Sequence, residues 1–136
     1  MSHYTEMSVE TKVAHEEEFI EALRATFEEV EIYEDPQVLN MYHGGKSNLK
    51  ANIIIRKKAQ GKALGRNVLS NDLGFERSGD GYKCHADEAG YPKSLQDKVN
   101  SEYAERVAMK QLKKQGYMVK RTTLEDGRVK LTASKW

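Results

Sequence analysis

The sequence predicts an α+β protein: a mainly antiparallel sheet with two helices packed on one face, in the order β-α-β-β-β-β-α-β-β. Three observations lead there. Residues 4–13 alternate, with Tyr4, Glu6, Ser8, Glu10 and Lys12 on one side and Thr5, Met7, Val9, Thr11 and Val13 on the other, the period of a half-buried strand. Residues 15–30 and 94–115 switch to helical spacing. Two Asp-Gly pairs, Asp80-Gly81 and Asp126-Gly127, each sit between extended runs, which is hairpin chemistry.

Taken in order, the first helix carries Phe19, Ile20, Leu23, Phe27 and Val30 on one stripe. Its opening glutamates suit the positive end of a helix dipole. Ile32 and Tyr33 begin a strand that Pro36 interrupts, and residues 37–42 look extended. Residues 51–57, ANIIIRK, are β-branched and strand-like. Residues 59–66 hold two glycines and read as loop. Residues 73–77 and 81–86 form a hairpin around Ser-Gly-Asp-Gly. Ser94 is the expected N-cap of the second helix, whose face is Leu95, Val99, Tyr103, Val107 and Leu112 and whose end is Gly116. Residues 117–124 and 128–134 make the closing hairpin.

At 136 residues the expectation is one domain, 1–136, with a basic loop region around 43–66. Hydrophobic residues at 38% exclude the disordered class. A net charge of +1 gives no global field to capture nucleic acid or membrane. A single cysteine, Cys84, fits a reducing compartment. The opening MSHYTEMSVETK lacks the apolar run of a signal peptide, and no segment reaches membrane-helix length. A cytoplasmic protein with no membrane partner is expected.

Several features then line up along the chain. It opens on Ser2-His3-Tyr4, carries Gly74-Phe75 with Asp80-Gly81-Tyr82, runs a helix from Tyr103 to Gly116, and ends from Asp126-Gly127 to Trp136. This pattern resembles a family of small proteins from cyanobacteria, plastid genomes, some bacteria and bacteriophages, the hypothetical chloroplast open reading frame thirty-five type, a domain of unknown function. The resemblance departs between residues 34 and 66. It supports fold and compartment (the host cytoplasm if phage-encoded) and implies no activity, so partners of the plastid members need not carry over.

Chemistry of a catalytic kind is hard to assemble. Cys84 and His85 are adjacent on a strand and point to opposite faces, so they do not easily serve as a nucleophile and base together, and an enzyme centred on this hairpin is the third reading of the chain. His3, His15 and His43 show no paired metal spacing. Asp72, Glu76, Asp80, Asp87 and Glu88 read as turn formers and solvated edges rather than an acid and base pair. Gly44-Gly45-Lys46-Ser47 lacks the upstream glycine of a phosphate loop. His3 and Trp136 sit on terminal strands expected to finish near one another in a sheet, Trp136 as an anchor. Cations Arg106, Lys110, Lys113 and Lys114 read as the outer face of a packed helix. No catalytic residue, metal or cofactor is expected.

The informative feature is charge order. Residues 16–35 hold nine acids against Arg24 alone, whereas residues 36–71 hold none. That second span carries Lys46, Lys50, Arg56, Lys57, Lys58, Lys62 and Arg66, with Tyr42 and His43 beside them. Separation of this kind makes local potentials that net charge conceals. The expected role is a non-catalytic accessory or regulatory protein that grips an acidic protein surface through this span. Phosphates of RNA, DNA or a nucleotide-like ligand are the second reading, with Tyr42 available to stack. A solvated loop or internal neutralisation by the acidic helix is the bland one. Exposed strand edges also allow a homodimer.

Overall fold

A computed structural model describes residues 4–9, 12–64, 71–87 and 90–135. Seven strands and three helices follow in the order β1 (Thr5–Val9), α1 (Glu16–Thr26), β2 (Glu31–Asn40), β3 (Lys46–Ile55), α2 (Gly61–Leu64), β4 (Leu73–Ser78), β5 (Gly81–Ala86), α3 (Lys93–Lys114), β6 (Tyr117–Thr123) and β7 (Val129–Lys135). Apart from the single turn of α2, this is the order the sequence predicts. Every strand pairing is antiparallel, so the α+β expectation holds.

The strands do not form one sheet. Five of them make a sheet of order β1-β5-β4-β3-β2, and among the described residues β6 pairs only with β7. The terminal strands β1 and β7 therefore lie in different sheets, against the expectation that they meet. His3 and Trp136 fall outside the described residues.

One face of the five-stranded sheet carries the main core. Phe19, Leu23 and Phe27, with Leu95 and Val99 of α3, bury against Ile53, Ile55, Leu73, Phe75, Tyr82 and Cys84. Each such side chain withdrawn from water contributes roughly 1.5–3 kcal/mol. The α1 helix is shorter than its apolar stripe. Phe27 takes an extended backbone, φ −114° and ψ 158°, and remains buried, so the stripe outlasts the helix. At α3 the N-cap is Pro92 rather than Ser94, and no side chain caps it. Proline's fixed φ and missing N–H make it a good residue to start on.

The long hairpin β2–β3 organises the rest. Its turn closes with Met41 N–H on Gly45 O and Gly44 N–H on Met41 O, with Gly44 at φ +89°, where a side chain is strained. Pairing within this hairpin carries β3 back to Lys46, earlier than its β-branched run suggests, so the stretch 43–66 is not a loop throughout. Pro36 sits where the β2–β3 register shifts, between Ile32 and Gln37. Asn52 bridges that irregularity. Its Nδ2 donates to Tyr33 O at 3.2 Å and Glu34 O at 2.9 Å, and its Oδ1 accepts from Arg77 N–H at 2.9 Å.

Beyond the irregularity the hairpin doubles back. Only Ile53, Ile54 and Ile55 of β3 pair with β4, and the distal half crosses the sheet face opposite the helices. Leu39, Ala51 and Ile54 bury there as a second, smaller cluster. Gly74 makes the close approach possible: a Cβ on it would stand 2.7 Å from Ala51 Cβ and 2.8 Å from both Leu39 methyls. No helix of the described residues is long and apolar enough to cross a membrane.

Candidate functional site

The folded-back hairpin is tied down by Asp72. This side chain is buried, and its Oδ2 accepts from Asn40 N–H and from Arg56 Nη1, both at 2.8 Å. Its Oδ1 accepts from Lys57 N–H at 2.9 Å. The Asp72 N–H returns a bond to Asn40 O at 2.9 Å, and the Tyr4 hydroxyl donates to Asp72 O at 2.8 Å. Next door, Asn71 Oδ1 accepts from Tyr42 N–H at 2.8 Å. Burial, and then the nearby Asp72 charge, push the Tyr4 phenol well above its ordinary range.

Asp72 thus satisfies backbone donors from the hairpin tip and from the 3₁₀ turn Lys57–Ala59 at once. Sequence reasoning took it for a solvated edge. The same correction applies to Asp87, which is buried and accepts from Asn71 N–H and Gly90 N–H. Glu76 lies 2.9 Å from the buried His85 Nε2. Asp80 is exposed at the β4–β5 turn, and Glu88 is outside the described residues.

The predicted basic residues separate into two sets. Arg56 turns inward. Its Nη1 reaches Asp72 and the Val38 carbonyl, the latter at 3.0 Å, and its Nε lies 3.3 Å from Glu31 Oε1. Burial opposes the Arg56 charge, but the bond and charge of Asp72, with Glu31, outweigh it and hold the guanidinium more firmly protonated. Arg56 is a structural tie, not part of an outward surface. Lys46, Lys50, Lys57 and Lys58 are exposed. Lys46 and Lys50 stand on the distal half of β3, opposite Asn40 and Val38. Lys57 donates from Nζ to Tyr42 O at 3.0 Å, which joins the 3₁₀ turn to the hairpin tip. Among the described residues none of these four lysines forms an ion pair. Lys62 lies on α2, without a described side chain, and Arg66 is outside the described residues.

The acidic helix spends its charge elsewhere. Glu16 pairs with Arg77 at 2.6 Å, Glu18 with Lys110 at 2.6 Å, and Glu21 with Arg106 at 3.8 Å. Its glutamates meet β4 and α3, not the lysines of the hairpin. Tyr42 is half-buried, and its ring meets His43 edge-on, with centroids 5.3 Å apart and planes at 75°.

The other candidates resolve by face. Cys84 lies in the main core, and its burial pushes the thiol far above its usual range, which keeps it protonated and unreactive. His85 projects to the opposite side beside Glu76. Sequence reasoning places the β6–β7 hairpin but passes over its charge, which stands on largely exposed strands. Its signal was available: residues 106–135 hold nine cations and two acids.

A family model described as "Protein of unknown function (DUF1257)" matches residues 22–132. That span contains Gly74-Phe75, Asp80-Gly81-Tyr82 and the helix from Tyr103, on which part of the resemblance rests; Ser2-His3-Tyr4 and Trp136 lie outside it. No curated protein and no solved structure matches the chain.

Proposed function

We propose that this chain, which belongs to the DUF1257 family of proteins of unknown function, is a non-catalytic accessory or regulatory protein. In this reading it holds an acidic protein partner against the lysine surface of its doubled-back hairpin. The proposed setting is the cytoplasm, of the host if the gene is carried by a phage.

One observation carries the reading. Asp72 draws Arg56 inward, while Lys46, Lys50, Lys57 and Lys58 stay exposed and without carboxylate partners among the described residues. Such a patch attracts an opposite charge and raises the rate of encounter. Tyr42 supports a protein over a single nucleic-acid strand, because base stacking needs an open ring and this one is half-buried with His43 against it. Phosphates held by the same lysines are the second reading.

Affinity capture from the native host tests it, with the parent and a variant carrying Lys46→Glu, Lys50→Glu, Lys57→Glu and Lys58→Glu. The parent is expected to retain an acidic protein after nuclease treatment, and the variant to lose it by about tenfold or more at low salt. Material that vanishes with nuclease, or that binds both forms equally, contradicts the protein-partner reading.

A further inference from the structure

We propose that the β6–β7 ribbon is a second binding surface and that its occupant is duplex DNA. The inference is independent of the hairpin reading, because it uses other residues on another sheet.

The ribbon's register divides its side chains cleanly. One face holds Tyr117, Val119, Arg121 and Thr123 opposite Lys135, Ala133, Leu131 and Val129. Tyr117, Val119 and Leu131 are half-buried, and Arg121 bonds Glu105 of α3, so the β6 part of this face is turned to the helix. The opposite face holds Met118, Lys120, Thr122, Lys130, Thr132 and Ser134, all exposed. Lys120 stands opposite Thr132, and Thr122 opposite Lys130. The two lysines are therefore diagonal neighbours, within reach of each other's charge.

Among the described residues no carboxylate stands on this outer face. The acids between residues 106 and 135 are Glu125 and Asp126 at the ribbon's tip, and Asp126 is taken by Arg128 at 2.5 Å. Among the described residues neither Lys120 nor Lys130 forms an ion pair. A pair of uncompensated like charges flanked by hydroxyl donors is suited to a row of phosphates, which lysine, serine and threonine contact in protein–DNA complexes.

The composition discriminates between partners. Protein interfaces depend on aromatic or arginine anchors; the hairpin surface has Tyr42 beside its lysines, and the outer face of the ribbon holds neither kind of residue. Here the one apolar group is Met118, 52% exposed. The shape discriminates between duplexes. The major groove of B-form DNA, about 12 Å wide, admits a two-stranded ribbon, whereas that of A-form RNA is deep and narrow. Strands of seven residues run roughly 23 Å, about two-thirds of a turn of DNA.

Fluorescence anisotropy with a short labelled DNA duplex of mixed sequence, across a salt series, tests the proposal on the full chain. The parent should bind with an affinity that falls steeply as salt rises. Lys120→Ala with Lys130→Ala should weaken binding about tenfold or more and lower the log–log salt slope by about two. Lys120→Gln with Lys130→Gln should do the same, and unfolding midpoints at the parent's value certify the fold. The hairpin variant with four charge reversals should keep the ribbon's contribution: adding the two ribbon substitutions to it should lower the slope by the same amount. The proposal is overturned if the parent shows no salt-dependent DNA binding, or if the ribbon variants bind DNA like the parent. Tighter binding of duplex RNA or of polyglutamate than of DNA also overturns it.

Discussion

Asp72→Ala should lower the stability of the protein by about 3–4 kcal/mol, because it strands three donors at once. Asn40 N–H and Lys57 N–H lose their acceptors, and Arg56 loses its closest counter-charge. The arginine side chain is 21% exposed, so water relieves part of its cost, which holds the figure below that of a fully buried pair. Asp72→Leu with Arg56→Met should be less damaging than Asp72→Ala, since no charge is left behind. Some loss should persist, as the two backbone donors stay unsatisfied. Urea denaturation of the variants measures both effects. A loss under about 1 kcal/mol for Asp72→Ala would show that the buried network is not what holds the hairpin.

Phe75→Ala should cost about 3–5 kcal/mol, by removing the centre of the main core. Phe75 is fully buried on β4, between Ile53 and Cys84 of the adjacent strands. Its ring meets Phe19 edge-on at 5.0 Å and Tyr91 at 6.2 Å. The residual cavity would touch α1, the β4–β5 hairpin and the approach to α3, none of which can collapse into it alone. At this chain length the loss corresponds to a fall of roughly 10–20 °C in Tm, measurable by circular dichroism. An unchanged Tm would mean that the aromatic cluster contributes little beyond filling space.

The elements were legible because their patterns are local. Alternation near Tyr4, helical spacing at Phe19 and Leu23, and the two Asp-Gly turns each report on neighbours within a few residues. What the sequence hid depends on distant pairs. Asp72 meets Arg56 and Asn40 only because the hairpin doubles back, and nothing near Asp72 in the chain distinguishes it from a turn-forming acid. Gly74 is a glycine for a reason visible only in space, the approach of Leu39 and Ala51. Pro36 reads as the end of a strand, yet the register shift beside it lets β2 continue. The end of α1 was obscured because Phe27 keeps its place in the apolar stripe after the backbone has become extended.

The candidate site was half legible. An acid-free span draws attention to its cations, but composition cannot tell an inward arginine from outward lysines. That sorting needs the position of one buried carboxylate. The charge of the ribbon was passed over for a related reason: the cations from Arg106 to Lys114 read as the outer face of a packed helix, and only separating the faces of β6 and β7 puts Lys120 and Lys130 together.

Amide hydrogen exchange at Asn40, Tyr42 and Lys57 asks most directly whether the hairpin is folded back as described. Asp72 and Asn71 accept from these three N–H groups, so all three should be protected in the parent and released together in Asp72→Ala, while the β4–β5 amides stay protected. Rapid exchange at all three in the parent would mean that the hairpin swings free of the sheet, and the lysine surface it is said to assemble would not exist.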